Sequence, residues 1–317
     1  MNNFFKNNLN RNLFHIAVAM FFVLGASTVS LAQAATAQQP ASMLQLPPGA
    51  ESKTATVYGQ KIHYVEAGKG PTVILLHGLG ADWSSWSPTI GPLAQKYRVI
   101  ALDQIGFGRS DKPFINYRVG TLVDFLNGLY KELKIERASL VGNSLGGFTA
   151  TAFALAYPDK VDRLALVDAA GYAVPKDVDP RSFNLLNPST REGMKQVMAA
   201  IFYNKQMFTS DAFIDVAFTR KMSAGDGYTI QRFIESIIRG EDVLDGRLGA
   251  IKQPTLILWG REDMLTPLAM GERFKKDIQG SEIVIFEKCG HVPQMEKAAE
   301  FNAALMKFLA GGNMASK

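Results

Sequence analysis

One cysteine, Cys289, stands in 317 residues, so no intramolecular disulfide can brace the fold and no cysteine cluster can hold a zinc ion. Histidine is scarce too. His15, His63, His77 and His291 are the whole supply, and no two have the H-x-x-x-H spacing of a helical metal site, so the reaction expected is metal-free. The 34 basic and 29 acidic residues are interspersed, with no basic run of five or more, which argues against a nucleic-acid partner despite a formal charge of +5. With 28 glycines and 14 prolines the chain is neither collagen-like nor low in complexity, and 47% hydrophobic residues suffice for a globular core.

No acidic residue precedes Glu51. Lys6 and Arg11 form a positive lead, Ile16 to Gly25 is almost wholly apolar, and Ala32-Gln33-Ala34 fits the A-x-A pattern of signal-peptidase sites. Residues 1–34 are therefore expected to be a secretory signal peptide, and the product to be periplasmic or secreted. Cleavage would leave 32 basic against 29 acidic residues, a formal charge of +3. The alternative is a retained N-terminal membrane anchor, for which the apolar run is short beside the roughly 20 residues of a spanning helix. Residues 35–53, rich in Ala, Gln, Pro and Ser, read as a flexible lead-in.

From Thr54 short β-branched runs alternate with longer helical stretches, the pattern of an α/β sheet with crossover helices. Thr54 to Tyr58 and Lys61 to Glu66, about a Gly59-Gln60 turn, predict a hairpin. Runs at 72–76, 98–102, 138–141, 164–167, 255–259 and 282–286 predict parallel strands covered on both faces. Stretches at 119–133, 145–156, 268–277 and 298–309 carry apolar residues at helical spacing. The interval 171–250 breaks the rhythm and reads as three or four helices, with a Ser189/Glu192 capping box ahead of the first and Ser210 ahead of another. The expected organisation is a core of residues 54–170 and 251–317, with 171–250 as a helical cap or lid.

Gly142-Asn143-Ser144-Leu145-Gly146 follows a strand and opens a helix, which is the context a G-x-S-x-G nucleophile elbow requires. A serine hydroxyl needs a base, and His291 lies just beyond the last strand, at the carboxyl edge of the sheet where Ser144 would also sit. Two acids compete to orient that imidazole. Asp263 follows the strand at 255–259 and Asp168 the strand at 164–167; the chain order serine, acid, histidine favours Asp263. His77-Gly78-Leu79-Gly80 can present main-chain donors to an oxyanion, with the Leu79 and Leu145 amides converging, while His77 anchors the loop. Trp83 and Trp86 are expected at the pocket rim, and Asn143 is counted among the substrate-binding residues. In Asp103 to Asp111 the G-x-G-x-x-G fingerprint is incomplete, so Asp103 and Arg109 are expected to stiffen a loop at the rim rather than hold a nucleotide.

In order, these segments, with Gly106-Phe107-Gly108-Arg109-Ser110, Trp259-Gly260-Arg261-Glu262-Asp263 and Gly290-His291-Val292-Pro293, resemble the landmarks of the α/β-hydrolase superfamily from about Thr54 to Leu309. The resemblance implies a mostly parallel eight-stranded sheet with helices on both faces, an inserted helical cap, a serine nucleophile and no cofactor. The match is most like bacterial secreted lipases and carboxylesterases, implying a small hydrophobic ester as substrate and a cap that can meet a lipid interface. The runner-up is the carbon–carbon bond hydrolases of aromatic ring-fission products, which also favour Asn before the nucleophile, as at Asn143. Those enzymes usually place Trp after the base, where this chain has Val292, and present a lid arginine for which Arg220 is not an obvious match. A non-catalytic ligand-binding protein on the same scaffold is the reading outside enzymology.

Overall fold

The computed structural model describes residues 45–311; the expected signal peptide, and most of the lead-in, lie outside them. Eight strands form one sheet: β1 (Glu51–Val57), β2 (Gln60–Ala67), β3 (Thr72–Leu76), β4 (Arg98–Leu102), β5 (Ala138–Asn143), β6 (Val161–Val167), β7 (Thr255–Gly260) and β8 (Glu282–Phe286). Their spatial order is β1-β2-β4-β3-β5-β6-β7-β8. Only the β1·β2 and β2·β4 pairings are antiparallel. This is the α/β-hydrolase fold.

The first hairpin turns one residue earlier than expected. Tyr58 and Gly59 both take positive φ, +51° and +78°, as a two-residue turn that follows the strand twist requires, so Gln60 joins β2.

Alternation along the strands divides the core in two. Ile74, Leu76, Ile100, Leu102, Leu140 and Leu166 face one side, where they meet α2 (Val119–Glu132), α3 (Leu145–Ala156) and α8 (Leu268–Asp277). Val73, Leu75, Val99, Val141, Val167 and Leu258 face the other, under α1 (Ser87–Ala94) and α10 (Ala298–Leu309). Central strands buried on both faces read as unbroken apolar runs for this reason.

Between β6 and β7 lie α4 (Arg191–Ile201), α5 (Lys205–Phe208), α6 (Asp211–Ala224) and α7 (Gly227–Ile238), with no strand among the described residues. The cap on α4 is Thr190, whose hydroxyl accepts the Gly193 N–H at 3.0 Å, in place of the expected Ser189. Ser210 precedes α6 without a side-chain capping bond. The segment is not uniform. Ile230, Phe233 and Ile234 of α7 belong to the main core, Phe233 stacking on Phe107 with ring centroids 5.7 Å apart. Phe202 and Phe208 instead stack on each other at 3.7 Å in a separate small cluster with Val292. No helix among the described residues is long and apolar enough to cross a membrane.

Candidate active site

β5 ends at Asn143, and Ser144 turns the chain into α3 with φ +54° and ψ −115°, a conformation an L-residue adopts only under constraint. The constraint is visible. Ser144 N–H donates to the Val167 carbonyl at 2.9 Å, and its own carbonyl accepts Phe148 and Ala170 N–H at 3.0 and 3.1 Å. A Cβ at Gly142 would collide with the Gly146 carbonyl, and one at Gly146 with the Leu76 carbonyl, so both flanks of the elbow must be glycine. The first turn of α3 leaves the Leu145 N–H without an intrahelical acceptor.

His291 lies five residues after β8 and is 5% exposed. Its Nδ1 is 2.7 Å from Asp263 Oδ2, and the carboxylate also accepts Leu265 N–H at 2.8 Å and Thr266 N–H at 3.1 Å, both on Oδ1. Burial works to raise Asp263, but the His291 charge, the Thr266 hydroxyl and the Leu265 amide override it and hold the carboxyl below its ordinary range. The Thr266 hydroxyl lies 2.6 Å from Asp263 Oδ2, 3.0 Å from the Asp168 carbonyl and 3.2 Å from His291 Nδ1. Of the two competing acids, Asp263 is thus the one bonded to the imidazole. Asp168 is fully buried beside it, its Oδ1 accepting Gly260 N–H at 2.8 Å.

The 171–250 segment grips the histidine loop. His291 N–H donates to the Ile201 carbonyl at 2.7 Å. Glu296, on the short helix α9 (Pro293–Glu296), accepts Gly290 N–H at 2.8 Å and Tyr203 N–H at 2.9 Å. Burial raises the Glu296 carboxyl even so, the three backbone amides from Gly290, Tyr203 and Asn204 opposing it. From the other side the Asn143 amide donates to the Val167 and His291 carbonyls at 3.1 and 3.0 Å. The residue before Ser144 is thereby tied to the backbone of His291.

That use of Asn143, 4% exposed and expected among the substrate-binding residues, makes it a brace between strand and loop. Trp83 and Trp86 were expected at the pocket rim. Both are buried, Trp86 wholly, in the core beneath α1 and α10, Trp86 lying 6.2 Å from Phe301. Gly78 borders the elbow, since a Cβ there would sit 3.3 Å from Ser144 Cβ, and this brings Leu79, the next residue, to the same rim. His77 spends both ring nitrogens locally: Nδ1 donates to the Gly78 carbonyl at 2.7 Å and Nε2 accepts Gln104 N–H at 3.0 Å. Asp103 accepts Trp83 and Arg109 N–H at 2.7 and 2.8 Å.

Arg220 of α6 donates to Asp82 Oδ2 at 2.6 Å and to Ser84 Oγ at 2.9 Å, fastening α6 beside the Gly78-Leu79-Gly80 loop. A polar cleft of about 510 Å³ opens within the 171–250 segment between Asn184, Thr190, Gln196 and Gln231; Ser144, Asp263 and His291 do not line it. A bonded serine–histidine–aspartate array is present elsewhere: Ser52 Oγ is 2.8 Å from His63 Nε2, and His63 Nδ1 is 2.8 Å from Asp103 Oδ2. Ser52 sits within the regular strand β1, with no elbow and no helix start behind it. Thr266, Glu296 and the Ile201 carbonyl were missed by sequence reasoning, because no motif marks them.

The chain belongs to the alpha/beta hydrolase fold family, whose model matches residues 71–222 and 228–298. It is a serine hydrolase of that fold. It is 34% identical over 266 residues, 79% of this chain and 91% of the relative, to the 2-hydroxy-6-oxononadienedioate/2-hydroxy-6-oxononatrienedioate hydrolase of Paraburkholderia xenovorans. Among solved structures it is similar to a meta-cleavage product hydrolase from Pseudomonas fluorescens, with TM-score 0.76 and 31% identity over 82% of this chain and 98% of that one. It is also similar to a bacterial membrane phospholipase A, with TM-score 0.73 and 29% identity over 83% of this chain and 86% of that one.

Proposed function

We propose that Ser144 is the nucleophile, His291 the base and Asp263 the orienting acid, and that the chain hydrolyses the carbon–carbon bond beside a ketone in a 2-hydroxy-6-oxo-dienoate. The observation that carries the catalytic assignment is the buried His291–Asp263 pair at 2.7 Å, tied through Asn143 to a serine at φ +54°. The substrate class is supported by the meta-cleavage product hydrolases to which the chain is similar.

With Nδ1–H donating to Asp263, the lone pair on His291 Nε2 is free to take the Ser144 proton. The Ser144 oxygen then adds to the ketone carbon, and the Leu79 and Leu145 amides meet the oxyanion. Collapse of the adduct breaks the carbon–carbon bond. The pair can be delocalised only once the dienol has ketonised, its 2-hydroxyl losing a proton and the carbon beside the ketone gaining one. It then passes through the remaining alkene to the 2-oxo oxygen, which takes the proton from His291, and the acyl-enzyme is hydrolysed by water with His291 again as base.

Ester cleavage is the second reading, favoured by one observation. Arg220 is held by Asp82 and Ser84, so this cap cation is already engaged rather than offered to a substrate carboxylate. The likeness to a phospholipase A and the proposed export segment at 1–34 support the same reading, with 171–250 serving as a lid over an apolar acyl chain.

The test has two parts. Wild type and Ser144→Ala are assayed on a 2-hydroxy-6-oxo-dienoate and on p-nitrophenyl esters of increasing chain length, and a fluorophosphonate label is located by peptide mapping. Label on Ser144 and turnover lost in Ser144→Ala are expected; label on Ser52, or full turnover in the variant, would falsify the assignment. The preferred substrate decides between the two bond types.

A further inference from the structure

Asp168 is the first residue after β6, with φ +42° and no exposed surface. Its main chain is fully used: the N–H donates to the Leu258 carbonyl at 3.0 Å, and its own carbonyl lies 3.0 Å from the Thr266 hydroxyl. Its side chain is not. Oδ1 accepts Gly260 N–H at 2.8 Å, while buried Oδ2 finds no donor among the described residues. One carboxyl oxygen from Asp168, one from Asp263 and a ring nitrogen of His291 lie within 4.8 Å of one another.

Two buried carboxyls that close cannot both ionise without a large penalty. The charged and titratable groups facing Asp168 do not relieve it. Asp263 is anionic and already paired with His291. Cys289 and Glu296, from the segment after β8, offer a buried thiol and another carboxyl, and Lys297 lies nearer Glu296. Burial first, then the Asp263 charge, drive the Asp168 carboxyl well above the ordinary range, and the Gly260 amide opposes them. A proton on Oδ2 removes the second anion and converts a partnerless acceptor into a donor aimed at a carboxylate.

We propose that Asp168 is a positioning residue: as a neutral carboxylic acid it donates a hydrogen bond from Oδ2 to the Asp263 carboxylate and fixes that single negative charge against His291. Its effect on rate rests on the Ser144–His291–Asp263 reading; the location of the proton does not.

Asp168→Asn keeps a donor toward Asp263 and an acceptor for Gly260. It should retain kcat/KM within about threefold, with the acid limb of the pH profile unmoved. Asp168→Ala removes the donor, concentrates charge on Asp263 and favours the imidazolium, so its acid limb should rise by about half a pH unit or more. Were Asp168 a second anion, the Asn variant would instead shift the limb downward. Were it merely structural, neither variant would move the limb whatever the loss of yield. Either result overturns the proposal. Difference infrared spectra at neutral pH should show the carbonyl stretch of a protonated carboxylic acid that disappears in Asp168→Asn. That band is read without substrate. Its presence in a protein that cleaves nothing would remove the hydrolase reading and keep the proton, whereas its absence from an active enzyme would remove the proposal alone.

Discussion

Replacing Thr266 with valine takes one proton donor from beneath His291 and changes side-chain volume very little. The Thr266 hydroxyl has one proton and two acceptors in reach, Asp263 Oδ2 at 2.6 Å and the Asp168 carbonyl at 3.0 Å, and the shorter contact to the charged oxygen should hold it most of the time. A hydrogen bond to a charged group contributes about 1.5–3 kcal/mol. Asp263 is ionised before the reaction as well as during it, so only the difference between the two states affects rate; about 1 kcal/mol, or about a fivefold loss in kcat, is expected. KM should stay within about twofold, since the hydroxyl is buried behind the imidazole. The Leu265 and Thr266 amides still hold Oδ1, so the carboxylate keeps its place. With one donor fewer its charge is more concentrated, the imidazolium is favoured, and the acid limb of kcat moves upward. Steady-state kinetics across pH on the better substrate from the panel measures both effects. An unchanged kcat with an unmoved acid limb would show that Thr266 does not bear on the pair. A loss beyond about a thousandfold with intact fold would mean that the hydroxyl takes part in the chemistry itself.

Asn143→Ala leaves the His291 carbonyl without its side-chain donor, while the Val167 carbonyl keeps the Ser144 amide; a cost of about 2 kcal/mol should lower Tm by about 4–8 °C, and a Tm equal to wild type would refute the brace. Arg220→Met unfastens α6 from Asp82 and Ser84. If the cap opens as a lid there, KM for neutral esters should change more than kcat, whereas selective loss of a carboxylate substrate would show that Arg220 leaves Asp82 to bind it. Asp168 adds a pH-dependent stability effect. Its carboxyl is raised in the folded state, so the fold holds a proton that the unfolded chain gives up, and this destabilises the wild type as pH rises above the ordinary carboxylate range. Asp168→Asn should therefore melt higher than wild type near neutrality, the gap closing toward about pH 4, and a lower melting temperature at neutral pH would contradict a neutral Asp168.

Much of the fold was legible because it depends on local rules. Six strands and helices, such as 72–76 and 145–156, fall on their expected bounds, since buried β-branched runs and helical periodicity are properties of adjacent residues. The hairpin slipped by one position because Tyr58 took a left-handed conformation that only the register with β2 makes necessary. The tryptophans were misplaced for a related reason: nearness to a glycine-rich loop says where the chain goes and nothing about which face of the sheet an indole enters.

The 171–250 segment divides along the same line. Its helical character follows from spacing, yet Phe233 enters the main core while Phe202 and Phe208 pack under the histidine loop, and no periodicity separates those fates. A short segment could announce Ser144, the two acids and His291, because each chemical requirement is local: a strained turn, a carboxylate or an imidazole at a strand end. Which acid meets the histidine, what Thr266 and Asn143 hold, and why a second carboxyl lies buried beside the first are decided by contacts that span up to 148 positions of chain. Such contacts have energies set by distance and burial, and those exist only once the sheet has brought the strand ends together.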